Sequence, residues 1–110
     1  DFAKVGLIYK NFGEINNKKL IDSASIALSL KPKFKSKPIY GYGLWMGEKN
    51  NVNFFSLRGH QGQYVIVIPS KNLIIVRLGR KKSKGDDFNN SSSDFSIYIS
   101  ESLNILNNIY

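Results

Sequence analysis

The chain of 110 residues contains no cysteine. Disulfides, thiolate metal sites and cysteine nucleophiles are therefore excluded, and cysteine usage gives no reading of redox compartment. Histidine occurs once, at His60. A lone imidazole with no carboxylate at a recognisable spacing is a poor general base and cannot form a metal site by itself, so no metal and no cofactor are expected. No apolar run approaches the ~18 residues that would suggest a membrane span. No charged segment followed by an apolar one marks a signal peptide. Acidic residues are scarce: 8 Asp and Glu face 16 Lys and Arg, for a net charge of +8.

What is present describes one globular domain. Hydrophobic residues make up 42% and aromatics 13% of the chain, enough for a modest core at this length. The positive charge is concentrated in "KPKFKSKP" (31–38) and "RKKSKG" (80–85). In an extended segment Lys31, Lys33, Lys35 and Lys37 would share one side, as a phosphate-binding stripe would require. Only Phe34 interleaves with that run and no aromatic with the second, so base stacking has few candidates. The runs read as solvated loops, and no nucleic-acid partner is expected.

The segment "DFAKVGLIYKNFG" spaces Phe2, Val5, Ile8, Tyr9 and Phe12 as a helix does, with Asp1 as cap and Gly13 as stop. A connector holding Asn16 and Asn17 follows. In "LIDSASIALSL", Asp22 is placed as an N-cap and Ile21 and Ile26 as a hydrophobic staple, and the helix should end before Pro32. From Ile39 the texture changes to strands. "IYGYGLWMG" alternates glycine with aromatics as one strand, and "NVNFFSLRG" reads as a second. "QYVIVI" and "LIIVRL" are two more, joined by a turn at Pro69–Asn72. The last two are apolar on both faces, so both faces of the sheet need cover. Arg77 breaks that pattern and needs a partner or an edge. Residues 81–94 are expected to form a flexible polar loop. A terminal amphipathic helix then places Phe95, Tyr98, Ile99, Leu103, Leu106 and Tyr110 on one face, capped near Asp94. The expected class is α+β, an antiparallel sheet flanked by helices. The last helix can cover only one face, and the two short leading helices are thin cover for the other.

Several patterns, in order, resemble the C-terminal part of the serine β-lactamase and penicillin-binding-protein superfamily, in its class C-like esterase and 6-aminohexanoate-dimer hydrolase branch. "DFAKVGLIYKNFGEINNKKLI" resembles the family's helix and turn ahead of the final strands, and "YGYGLWM" its Tyr-Gly-Tyr-Gly-Trp-Trp strand. "RGHQGQYVIVIPSKNLIIVRLG" resembles its Gly-x-x-Gly-Gln strand, proline turn and following strand. The match spans residues 1–80, and the terminal helix fits the family's last helix. The resemblance implies that residues 1–110 are the C-terminal segment of a single, incomplete β-lactamase or transpeptidase-like domain. In that family a Ser-x-x-Lys helix supplies the nucleophile, a Tyr-x-Asn or Ser-x-Asn loop relays the proton, and a third motif, Lys-Thr-Gly or a variant, lies on an edge strand lining the substrate groove.

Carried over, the third motif is Leu57-Arg58-Gly59, and the main-chain N–H of His60 is half of the oxyanion hole. The resemblance makes Leu57, Arg58, Gly59 and Gln61 substrate-binding positions, with Gly62 and Gln63 structural at the site. Gly59 and Gly62 flanking the only histidine fit this assignment, because an amide aimed at developing negative charge needs backbone that approaches the substrate closely. Two departures stand out. The family's lysine position is Leu57, and side-chain alternation should turn the neighbouring Arg58 to the opposite face, which disfavours β-lactam carboxylates and favours an ester or amide. The His60 imidazole, moreover, is not a catalytic group of the family.

No serine in the chain is followed three positions later by lysine. "YKN" at 9–11 and "SLN" at 102–104 fall on amphipathic helices, where Tyr9 belongs to an apolar face. The chain alone is thus expected to be inactive. It would contribute one groove wall for an ester, amide or peptide substrate and require the missing N-terminal, helical portion of the fold as its partner. Two other readings compete: a catalytically inactive β-lactamase-like binding or scaffold protein, and a basic nucleic-acid-binding domain. The compartment is left open; the resemblance allows periplasm or cell envelope.

Overall fold

Asp1 begins the fold as the sequence suggests: its carboxylate accepts the Lys4 N–H at 3.0 Å and caps helix α1, Phe2–Lys10. The computed structural model describes residues 1–32, 39–59, 63–79 and 93–109. α1 closes in a Schellman arrangement, with Phe12 N–H donating to the Tyr9 carbonyl (3.3 Å) and Gly13 N–H to that of Ile8 (2.8 Å). The left-handed residue at this stop is Phe12, at φ 52°, one position before the predicted glycine. Gly13, at φ 94°, is needed for a second reason: a Cβ there would drive into the Ile21 carbonyl oxygen.

The connector after α1 is a small hairpin, β1 (Glu14–Ile15) with β2 (Lys18–Lys19). Asn16 and Asn17 take φ 51° and 62°, the two positive angles that a two-residue hairpin turn demands. α2, Ser23–Ser29, is capped by Asp22, whose carboxylate accepts the Ser25 N–H at 3.2 Å; Ile26 is buried beneath it.

Five antiparallel strands follow in sequence order, β3-β4-β5-β6-β7: Ile39–Tyr40, Trp45–Lys49, Val52–Gly59, Gln63–Ile68 and Leu73–Arg77. Four are the main strands and β3 is a two-residue edge. The expected single strand over "IYGYGLWMG" is therefore divided into β3, a turn and β4. Gly41 N–H donates to the Leu44 carbonyl at 2.8 Å, and Gly43 sits at φ 79°. The turn is held against the end of α2, where Tyr42 N–H meets the Ser29 carbonyl at 3.3 Å and a Cβ on Gly41 would collide with that same oxygen. Glycine here makes the chain reverse, whereas one strand with close backbone contacts or bulges was the expectation. Asn50 and Asn51 repeat the double positive-φ turn between β4 and β5. Pro69–Lys71 forms a 3-10 turn that Asn72 closes at φ 51°.

The sheet is covered on both faces. Tyr64 to Ile68 of β6 are all buried. On one side Tyr64, Ile66 and Ile68 join Val52 and Phe54 against Phe95, Ile99 and Leu103 of α3, Ser93–Ile109. On the other, Val65 and Val67 join Leu44 and Phe55, with Tyr9 of α1 and Leu30 packed on them. The thin cover expected from α1 works because Gly6 meets the sheet closely, beside Tyr9. A Cβ there would stand 3.0 Å from Val65 and 3.1 Å from Ile74, so the helix backbone lies almost on β6 and β7. Part of the stripe is displaced to the side: Phe2, Val5 and Phe12 remain exposed, while Tyr9 packs on the core. α3 takes in Ser93 and Asp94, the last two residues of the expected polar loop; residues 81–92 lie outside those described. Among the described residues, no helix is long and apolar enough to cross a membrane.

Two outcomes check this architecture in urea unfolding followed by circular dichroism. Ile99→Ala, in the α3 core, should cost about 2–5 kcal/mol, whereas Ile105→Ala, exposed on the same helix, should stay within about 0.5 kcal/mol. Gly13→Ala should cost more than about 2 kcal/mol, because it combines the left-handed backbone with the collision at Ile21.

Candidate functional site

β5 alternates as its sequence requires. Phe55 and Leu57 face α1, and Phe54, Ser56 and Arg58 face α3. Leu57 and Arg58 are thus separated by the sheet, as expected for adjacent strand residues. The Arg58 guanidinium carbon lies 4.2 Å from the Phe95 ring centroid and 5.4 Å from that of Trp45. Its Nε donates to Ser56 Oγ at 3.1 Å, and that fully buried hydroxyl reaches the Trp45 carbonyl at 3.5 Å. Phe95 is also flanked by Phe54 and Tyr64, with centroids at 5.4 and 5.0 Å, and Tyr40 packs against Trp45 at 4.6 Å with the rings tilted by 56°. Arg58 therefore closes the end of the α3 core instead of reaching toward the α1 side. Arg77 obtains both a partner and an edge: β7 is the outer strand, and the guanidinium donates to Tyr98 Oη (3.3 Å) and to the Gly79 carbonyl (2.8 Å).

The resemblance placed the third motif on an edge strand, but β5 is the central strand of the five. The correction is local. Pairing with β4 stops at Ser56 opposite Trp45, while pairing with β6 continues through Leu57–Val65, Arg58–Tyr64 and Gly59–Gln63. Beyond Ser56, the chain turns away at Gly41–Leu44, so Leu57–Gly59 form an edge on that flank among the described residues. Sequence reading missed this because it took residues 39–47 as one strand.

On the α1 side, Leu57, Gly59, Gln63 and Val65 border a cavity of about 330 Å³, together with Phe2 and Val5 of α1 and Leu78 beyond β7. The structure thus brings Leu57, Gly59 and Gln63 together at one opening, sends the Arg58 guanidinium to the other face, and adds Phe2, Val5 and Leu78. His60, Gln61 and Gly62 lie outside the described residues. So do Lys33, Lys35, Lys37 and the run at 80–85, which carry the basic reading. The signal that could have revealed Phe2 and Val5 was Gly6, whose close seat on the sheet leaves the start of the apolar stripe off the core.

A larger cavity of about 500 Å³, bordered by Leu30, Met46, Phe55 and Pro69, includes none of the candidate residues. No group of three or more His, Cys, Asp or Glu capable of holding a metal occurs among the described residues. No protein-family model matches the chain, and no curated protein matches it.

The Arg58 arrangement has a measurable consequence. Arg58→Leu should cost about 1–3 kcal/mol, the combined size of a partly desolvated cation–π contact and one hydrogen bond. Arg58→Lys should recover at most about half of it, because an ammonium lacks the planar stack and the Nε donor. Urea midpoints of the three proteins decide it.

Proposed function

We propose that the chain is the C-terminal portion of a β-lactamase-related serine hydrolase that acts on an ester, amide or peptide through an acyl-enzyme. The observation that carries this reading is that β5 outruns β4. Among the described residues, Leu57–Gly59 present a strand flank that β4 does not pair, next to a cavity, and His60 follows directly in the sequence. An antiparallel sheet between an early helix and a terminal helix is compatible with the ordered sequence patterns over residues 1–80.

In this reading the chain's task is electrostatic and steric. As a serine from the upstream portion attacks the substrate carbonyl, negative charge grows on the carbonyl oxygen. The main-chain N–H of His60 donates to it, and Gly59 leaves room for that approach. The strand flank at Leu57–Gly59 aligns the substrate. The nucleophile, its lysine and the proton-relay tyrosine come from the N-terminal, helical portion.

Leu57 in place of the family's lysine favours a second reading, a relative that has kept the groove and lost the chemistry. The test joins the chain to its upstream coding segment and treats the folded protein with a fluorophosphonate. Labelling of one serine is expected, and a folded protein that stays unlabelled decides for the inactive relative. In the active protein, His60→Pro should lower turnover about 10²–10³-fold by removing the donor, while His60→Ala, which retains the N–H, should stay within about threefold. Equal losses in both variants would refute the main-chain role.

A further inference from the structure

The cavity at Leu57 supports an inference that rests on the hydrolase reading and names the substrate class it would take. At about 330 Å³ it falls within the range of small-molecule sites, ~300–1,000 Å³. Its walls come from three places: Leu57 and Val65 of the β5–β6 pair, Phe2 and Val5 of α1, and Leu78 after β7. Phe2 is 54%, Val5 37% and Leu78 57% exposed, so apolar surface that the fold leaves open converges on one concavity instead of being scattered. The close seat of Gly6 on Val65 and Ile74 produces this, by tipping the apolar stripe of α1 over the ends of β5 and β6.

Charge decides what can enter. A lysine at position 57 would project into this space, and the residue there is leucine. Arg58, the adjacent cation, borders the cavity, but its guanidinium is held on the other face of the sheet by Phe95, Trp45 and Ser56 Oγ. To reach the cavity it would have to leave both rings and cross the plane of the strand. Among the described residues, therefore, the walls offer no counter-charge to a carboxylate, which would enter only by losing water without compensation. A neutral alkyl or aryl group gains instead, by roughly fourfold in affinity per methylene buried. We infer that this cavity receives the uncharged, apolar part of an ester or amide substrate and rejects a substrate carrying a carboxylate at that position. Gln63, exposed at the rim, and the Gly59 backbone mark the polar end.

The test needs no turnover, which separates it from the hydrolase reading. The 110-residue chain is titrated at pH 7 with 4-phenylbutyramide and, separately, with 4-phenylbutyrate, followed by methyl NMR. The amide is expected to shift Val5, Leu57, Val65 and Leu78 and to bind at least about tenfold more tightly than the carboxylate. Leu57→Lys should move the ratio at least about tenfold toward the carboxylate, and Leu57→Met should leave it unchanged. Val5→Glu, at an exposed position, should weaken amide binding by a similar factor and serves if Leu57→Lys does not fold. Equal affinities, absence of binding, or shifts confined to the Leu30–Met46–Pro69 cavity would overturn the inference. So would the same methyl shifts on concentrating the chain without ligand, which would assign the cavity to a second copy. A protein that prefers the amide but resists fluorophosphonate keeps this inference and loses the hydrolase reading. A labelled protein without the preference does the reverse.

Discussion

Strand β6 carries apolar side chains on both faces, and from Tyr64 to Ile68 every one of them is buried. Withdrawing such side chains from water contributes roughly 1.5–3 kcal/mol each. The contribution is realised only if each face of the sheet has a helix over it. α3 meets the requirement in the usual way, with Phe95, Ile99 and Leu103 recurring along one stripe. α1 is only 9 residues long and meets it differently. Gly6 lets its backbone settle onto Val65 and Ile74, so a short helix screens more sheet than its side chains alone would.

That solution shapes the candidate site. A helix seated through Gly6 and Tyr9 does not seat the start of its apolar stripe, and Phe2 and Val5 are left facing the space beside Leu57. On the other face, the same end of β5 is closed by Arg58, fixed across Phe95 and Trp45 and bonded to Ser56. One residue step along the strand thus separates an apolar opening from a satisfied cation. That β4 stops short of Leu57–Gly59 has an independent cause, the reversal at Gly41–Leu44 that takes the chain away from β5.

Much of this was legible in the residues. The caps at Asp1 and Asp22, the turn at Pro69–Asn72, the two-sided burial of β6 and the opposition of Leu57 and Arg58 are local or strictly periodic, and such properties survive into any fold that keeps the element. The division of residues 39–47 was not legible. Glycine alternating with aromatics suits a strand as well as a reversal, and the choice depends on the Ser29 carbonyl, brought there by α2. The β1–β2 hairpin, expected only as a connector, was passed over for a related reason: two consecutive asparagines tolerate the left-handed region without advertising it as glycine does.

By itself, then, the order of residues determined the class of fold, the strands that must be buried, and which neighbours along β5 face apart, because alternation and helical period are built into the backbone. Tertiary structure alone decided which side of α1 meets the sheet, where β4 stops accompanying β5, and that Phe2, Val5 and Leu78 surround Leu57. Those relations join residues far apart in the chain through close approach at glycine and the reach of a single carbonyl. Neither leaves a periodic trace in the sequence, so both become visible only when the elements are packed.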